Sequence, residues 1–418
     1  VTTVFDRLVG QHAVVGELTS AAVAAVRLAA SRDLQAHGND PLPLLAGDPD
    51  SGSSAMTHAW LFTGPPGSGR SVAAQCFAAS LQCEVTDSPG CGRCHACTTV
   101  MAGTHSDVRR IVPEGLSIPV KDMRAIVQTA ARRPSVGRWQ VVVIEDADRL
   151  TEGAANALLK AVEEPPPRTV FLLCAPSIDP EDISVTLRSR CRHVALTMPS
   201  VASIAEVLIE SDGIDPEMAK WAASVCGGHV GRARRLATDD EAREQRKQAL
   251  AVARAATRDA TAYSAAEALV KSADAAAKAI SARLDEAETE EMRTALGAGG
   301  TGKGAVGAMR GSAGILKDLE RRQKSRETRT GRDLLDRALV DLAALFRDAL
   351  AASYGSSVTA MHPDMSEQTV AMAGYARREE LLACVEAVLE CRESLSFNVK
   401  PKFAVDSMVA KIGLALRH

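Results

Sequence analysis

Aromatic side chains are scarce in this sequence: three Trp, three Tyr and seven Phe, 3% of 418 residues. That argues against a β-sandwich. With 46% hydrophobic residues and many Ala-rich segments, the balance favours helices packed through Ala and Leu. Net charge is also low, formally −3, so no global field draws the chain to nucleic acid, and any such contact has to come from local basic patches. The opening VTTVFDRLVGQ lacks the basic-then-apolar pattern of a signal peptide, and no run of about 18 apolar residues stands out. These absences predict a cytoplasmic protein without a membrane span. The length exceeds one ordinary core and predicts two or three domains.

Cysteine, by contrast, is plentiful, and its distribution is uneven. Cys83, Cys91, Cys94 and Cys97 crowd into QCEVTDSPGCGRCHACTT, whereas Cys76, Cys174, Cys191, Cys226, Cys384 and Cys391 are scattered and read as small buried hydrophobes. The spacing C-x7-C-x2-C-x2-C suits four thiolates around one tetrahedral zinc ion. That shell leaves no position for water, so the site would be structural. Gly90 and Gly92 suit tight knuckle turns, and His95 and His105 stand nearby as spare ligands. A knuckle that contacts nucleic acid is the competing reading, and Arg93 and His95 without an aromatic give it little to stack on.

Along the chain, WLFT, VVVIEDAD (141–148) and TVFLLCAP (169–176) are continuous apolar runs of the kind found in buried parallel strands. Between them lie helical stretches, among them TEGAANALLKAVEEPPP, which Thr151 can cap and Pro165 stops. Alternating strands and helices predict a doubly wound α/β domain. After about residue 198 only helical patterns remain. Leu335, Leu339, Leu342, Phe346 and Leu350 form one stripe, and Ala404, Met408, Ile412 and Leu416 another. The expected layout is an α/β domain over 1–197 with a zinc module at about 83–97, a small helical domain over 198–240 and a helical domain over 241–418. Eight glycines predict a flexible loop over 297–314 in the last of these.

The stretch GPPGSGRS joins the first strand to a helix. Gly64, Gly67 and Gly69 let backbone N–H groups wrap a phosphate at a helix N-terminus, and Ser71 offers the hydroxyl that ligates Mg²⁺ in such loops. Arg70 stands where the pattern G-x-x-x-x-G-K-[ST] has lysine, and its larger planar fork does not replace a compact ammonium. Glu145, Asp146 and Asp148 follow the second strand. They are either the acids that hold a metal and polarise water, in Glu-Asp rather than Asp-Glu order, or solvated groups at a strand end. GAGGTGKG (297–304) imitates the phosphate loop and keeps a lysine, but Gly304 replaces the Ser/Thr and no strand precedes it, so it reads as linker. In TLRSRC, Arg188 and Arg190 flank a surface turn. Arg190 is either solvated or, if a neighbouring subunit presents a nucleotide, an arginine finger.

Gly10-Gln11, the phosphate loop, the cysteine module after its helix, NALLKAVEEPP (156–166) and SRC (189–191), in this order, resemble bacterial clamp-loader subunits of the AAA+ type, the delta-prime and gamma/tau group of DNA polymerase III. The resemblance is dense over roughly 1–240. Beyond that it rests on helical character and on NVKPKFAVDSM, similar to part of the family's collar domain. It implies an AAA+ sheet, a helical lid and a helical collar in a hetero-oligomer whose partners are gamma/tau, delta, the sliding clamp and primed DNA. The departures pick a branch. Arg70, Glu145-Asp146, Gly231 (with Arg232 next) and Pro176 (with Ser177 next) stand where motor subunits carry the loop lysine, Asp-Glu, sensor-2 arginine and sensor-1 polar residue. So weakened a site resembles the delta-prime branch, which generally does not turn over ATP itself. The resemblance then implies doubtful ATP/Mg²⁺ binding in the chain's own pocket, a structural Zn²⁺, and Arg190 acting in trans on ATP held by a neighbour. An ATP-hydrolysing gamma/tau-like subunit is the alternative, and basic residues such as Arg124, Arg132 and Arg133 are the candidates for DNA contact.

Overall fold

The apolar runs of the first half become the inner strands of one sheet. In the computed structural model, which describes residues 3–36, 56–295, 305–397 and 399–416, α1 (His12–Ala36) precedes β1 (Ala59–Thr63). α2 (Arg70–Gln82), α3 (His95–Ala102), β2 (Val108–Ile111), α4 (Val120–Ala130) and β3 (Gln140–Ile144) follow. Next come α5 (Glu152–Glu163), β4 (Thr169–Ala175), α6 (Val185–Arg188) and β5 (Arg192–Ala195). The described strands are parallel, in the order β2-β3-β4-β1-β5. β1, β3 and β4 are buried at every residue, which is why their sequences are unbroken apolar runs. β2 (VRRI) and β5 (RHVA) lie at the edges, where exposed arginine and histidine interrupt the apolar signal and hide both strands from the sequence.

Alternate residues of the inner strands feed two cores. Trp60, Phe62, Val141, Val143, Val170 and Leu172 face α1 and α2, with the Trp60 and Phe77 rings edge-to-face at 4.8 Å between centroids. Leu61, Val142, Ile144, Phe171 and Leu173 face the other way, onto Met123 of α4, Leu158 and Val162 of α5, and Leu187 of α6. Thr151 caps α5 as expected, its hydroxyl accepting from Ala154 N at 3.3 Å. Against the expectation from the sequence, residues 12–30 of α1 are long and apolar enough to cross a membrane by length and composition. In the structure Leu18, Ala21, Ala22 and Ala25 of this helix are buried in the first core.

The elements described after β5 are helices: α7 (Val201–Glu210), α8 (Pro216–Val225), α9 (Val230–Thr238), α10 (Asp240–Ala255), α11 (Asp259–Ala295), α12 (Ala305–Ser353), α13 (Ser366–Tyr375), α14 (Arg378–Ser396) and α15 (Pro401–Leu416). The chain divides into two compact units, one of 1–113, 117–223 and 228–233, the other of 114–116, 224–227 and 234–418. In the second unit Leu335, Leu339, Leu342 and Phe346 pack with Ala404, Met408, Ile412 and Leu416, so both predicted stripes face one core. Residues 297–304 lie outside the described residues. Ala305 to Gly314, expected to be loop, instead open the 49-residue α12. Cooperative extension of so long a helix outweighs a cost of about 1 kcal/mol per glycine.

The second unit also buries a polar cluster. Arg246 pairs with both carboxylate oxygens of Asp364 at 2.8 Å and donates to His362 Nδ1 at 3.0 Å, so His362 Nε2 carries the proton and donates to the Asp341 carbonyl at 3.0 Å. Asp348 accepts from the backbone N–H of His362 at 2.8 Å and of Met361 at 3.1 Å. Burial holds the His362 imidazole below its ordinary pKa; Asp341 opposes this and Arg246 reinforces it. The unfolded chain takes up this proton near pH 6.5 and the folded chain only at lower pH, so stability is undiminished above that value and falls as pH drops through it. Chemical denaturation of the whole chain between about pH 7.5 and 5.5 should show this acid loss, and His362→Gln should lose less over the same range while starting from a lower stability.

Candidate functional site

The loop begins where β1 ends. Gly64 N donates to the Pro176 carbonyl beyond β4 at 3.1 Å, and Ser68 N to the Pro65 carbonyl at 3.0 Å, closing a turn. Gly67 and Gly69 take φ of +91° and +93°, and Gly69 is the N-cap of α2. At Gly67 a side chain is excluded twice over: by φ, and because a Cβ would lie 2.6 Å from His229 Cα. His229 also accepts the Arg232 N–H through Nδ1 at 3.2 Å, so it caps α9 while lying against the loop. From the other side Gln11, 4% exposed, donates to the Thr197 carbonyl at 2.6 Å and reaches the Ser68 carbonyl at 3.4 Å. Tertiary contact alone reveals these two roles. Gln11 was visible only as part of a motif, and His229 had no sequence signal.

Within the loop, the buried Nη1 of Arg70 and the buried Oγ of Ser68 have no hydrogen-bond partner. The Ser71 hydroxyl engages the Cys174 thiol, whose pKa burial drives well up. Two of the acids after β3, Glu145 and Asp146, face the chain's own cations, while Oδ1 of Asp148 is buried with no hydrogen-bond partner. Glu145 forms an ion pair with Arg110 of β2, and Asp146, at φ +51°, lies 3.9 Å from Arg149. Burial pushes the Asp148 carboxyl up, the Asp146 charge adds to this, and Arg149 and Arg70 oppose it. A Mg²⁺ ion bound among these acids would have to displace arginine from Glu145 and Asp146, so the donor set fits a metal poorly. Ser177 donates to Asp182 Oδ2 at 2.6 Å and accepts from Asp179 N at 2.9 Å, which commits it to its own loop. Gly231 lies in the first turn of α9, next to His229.

The cysteine module meets the geometric demands of a metal site. The Sγ atoms of Cys83, Cys91, Cys94 and Cys97 lie within 4.8 Å of one another, and Cys83 and Cys94 are 3.9 Å apart. Thiolates about 2.3 Å from a tetrahedral ion are about 3.8 Å apart. Backbone N–H groups already point at sulfur: Cys91 N at Cys83 (3.5 Å), Cys94 N at Cys91 and Cys97 N at Cys94 (each 3.4 Å). The hydrogen bond between Cys97 and Cys83 lowers the Cys83 thiol, helped by backbone N–H groups, and raises the Cys97 thiol. Arg138 donates to the Cys83 carbonyl and ties the module to the start of β3. His95 is exposed and His105 Nδ1 accepts from Asp107 N at 3.1 Å; neither histidine belongs to the cluster.

Arg190 follows α6 and is held on its own surface. Its Nη2 lies 2.7 Å from Glu163 Oε1, and its Nη1 donates to the Thr186 carbonyl at 3.0 Å and Ser189 Oγ at 3.2 Å. Its side chain is 39% exposed. None of these partners belongs to the phosphate loop. Arg124, Arg132 and Arg133 are exposed on α4 and the segment after it.

Residues 50–200 match the family described as "DNA polymerase III, delta subunit". The chain is 35% identical over 201 residues to the DNA polymerase III subunit delta' of Pseudomonas aeruginosa, covering 47% of this chain and 60% of the relative. It is 31% identical over 195 residues to the subunit delta' of Bacillus subtilis, covering 47% and 58%, and 38% identical over 140 residues to that organism's subunit tau, covering 33% and 24%. The chain thus spans about three fifths of the length of the delta' relatives it matches. Its sheet-bearing half is related by sequence to the delta' and tau subunits of bacterial DNA polymerase III.

Two outcomes follow from this geometry. Gly67→Ala should destabilise the first unit by about 1–3 kcal/mol, measured by denaturant unfolding, because strain and the clash with His229 add. Cys94→Ser should drop bound metal from about one ion per chain toward none, by elemental analysis, and lower the melting temperature of the metal-loaded protein.

Proposed function

We propose that the chain is a delta-prime-type subunit of a bacterial DNA polymerase III clamp loader, an AAA+ assembly component that does not itself turn over ATP. The observation that carries this reading is the charge state of the pocket. Glu145 and Asp146 are matched by Arg110 and Arg149, and Arg70 replaces the loop lysine. A phosphoryl-transfer site needs those acids free for metal and water. Gly64, Gly67, Gly69, Arg70, Ser71, Glu145 and Asp146 then form a retained but degenerate nucleotide site. Cys83, Cys91, Cys94 and Cys97 hold a zinc ion whose part is structural, fixing the segment between α2 and α3. Residues 198–240 act as the lid, and 241–418 as the collar.

The output of such a subunit lies in its partners: gamma/tau, delta and, through the complex, the sliding clamp on primed DNA. Arg190 is the residue presented to ATP in a neighbouring gamma-type subunit. There a guanidinium stabilises charge on the transferred phosphoryl group, an effect of roughly 10³–10⁵ in rate at that site. The similarity to a tau subunit favours a second reading, in which this chain hydrolyses ATP in its own pocket. The two separate experimentally. An assembled complex carrying Arg190→Ala should contain a folded, metal-loaded chain and lose the ATPase activity of one site. The isolated chain should not turn over ATP. Normal ATPase in the variant complex would remove the role of Arg190, and turnover by the isolated chain would favour the motor reading.

A further inference from the structure

We infer that Glu163 is a positioning residue for Arg190. The inference rests on the reading of Arg190 as the arginine offered to a neighbour's nucleotide. Glu163 is the last residue of α5, where Pro165 ends the NALLKAVEEPP run. A carboxylate there faces the negative end of the helix dipole, so its charge does nothing for α5. Its ion-pair partner is Arg190, at 2.7 Å.

The platform beneath the pair is rigid. Leu187 of α6 is buried in the core that also holds Leu158, Ala161 and Val162 of α5. Arg190 N donates to the Leu187 carbonyl at 3.1 Å, which fixes the Arg190 backbone on that same core. The flexible part is therefore the Arg190 side chain beyond Cβ. Glu163 on Nη2 and the Thr186 carbonyl and Ser189 Oγ on Nη1 restrict it to one direction.

A long side chain acting across a subunit boundary must otherwise be ordered at the moment of reaction, and pre-ordering removes that cost. Both partners of the pair are about two-fifths exposed, so the restraint is weak. Exposed pairs of this kind bias an equilibrium by up to about five-fold. That is enough to orient the guanidinium, and too little to hold it back from the polyanionic triphosphate of a neighbour. Glu163 holds Nη2 while the Thr186 carbonyl and Ser189 Oγ hold Nη1, and a neighbour's triphosphate takes the guanidinium by exchange with these exposed contacts.

The test uses the assembled complex and takes the ATPase activity lost with Arg190→Ala as the share of the site in question. Of that share, Glu163→Ala should lose about half to four-fifths through kcat, with KM for ATP unchanged, because orientation matters only in the transition state. Glu163→Gln keeps an acceptor for Nη2 and should recover most of the loss. The double variant should match Arg190→Ala. Wild-type or faster turnover in Glu163→Ala overturns the inference, as does a loss that Glu163→Gln fails to recover or that persists on top of Arg190→Ala. If Arg190→Ala itself retains full activity, it is the underlying reading of Arg190 that fails.

Discussion

The pairing of β1 between β4 and β5 is the constraint on which the first unit depends. A strand bonded on both edges and buried on both faces cannot shift without losing two ladders and two cores at once. Its end therefore fixes where the glycine loop begins. β3 and β4, in register beside it, fix where the acids and Pro176 emerge. β5 on its other edge fixes the turn that carries Arg190. The glycine loop, the acids after β3 and the turn of Arg190 are thus placed by one sheet.

The placement brings the glycine loop near the acids after β3 and also sets two of those acids against arginine. β2 is a short edge strand whose Arg110 is carried to Glu145 by the parallel register Ile111–Ile144. Arg149 comes from the turn immediately after Asp146 and supplies the second countercharge. Buried or half-buried carboxylates need such partners, since an unpaired charge in that setting is costly. Meanwhile the loop is contacted by Gln11 on one side and His229 on the other.

The cysteine module depends on a different physical logic. It rests on short-range spacing, so four thiols converge almost wherever the rest of the chain goes, provided the turns at Gly90 and Gly92 can take positive φ. The metal-like geometry was therefore legible in the sequence, as were the inner strands, the cap of α5 and the two apolar stripes of the second unit. β2 and β5 were not legible, because edge strands carry charge where inner strands carry Val and Leu. The helical start at Ala305 was missed because glycine content argues locally for a loop, while helix cooperativity acts over the whole of α12.

Residue type and spacing alone supply the inventory: a glycine loop with arginine at the usual lysine place, four cysteines at ligand spacing, acids after an apolar run, and an arginine beside a turn. Each follows from residue type and local spacing, which folding does not change. The pairings were left to the tertiary structure. That Glu145 meets Arg110, that His229 closes on Gly67, that Gln11 braces Ser68 and that Glu163 holds Arg190 are contacts between residues 27 to 162 positions apart in the chain. Only the tertiary packing of strands and helices brings such residues within reach, because charge and hydrogen bonding act over a few ångströms whatever the distance along the sequence.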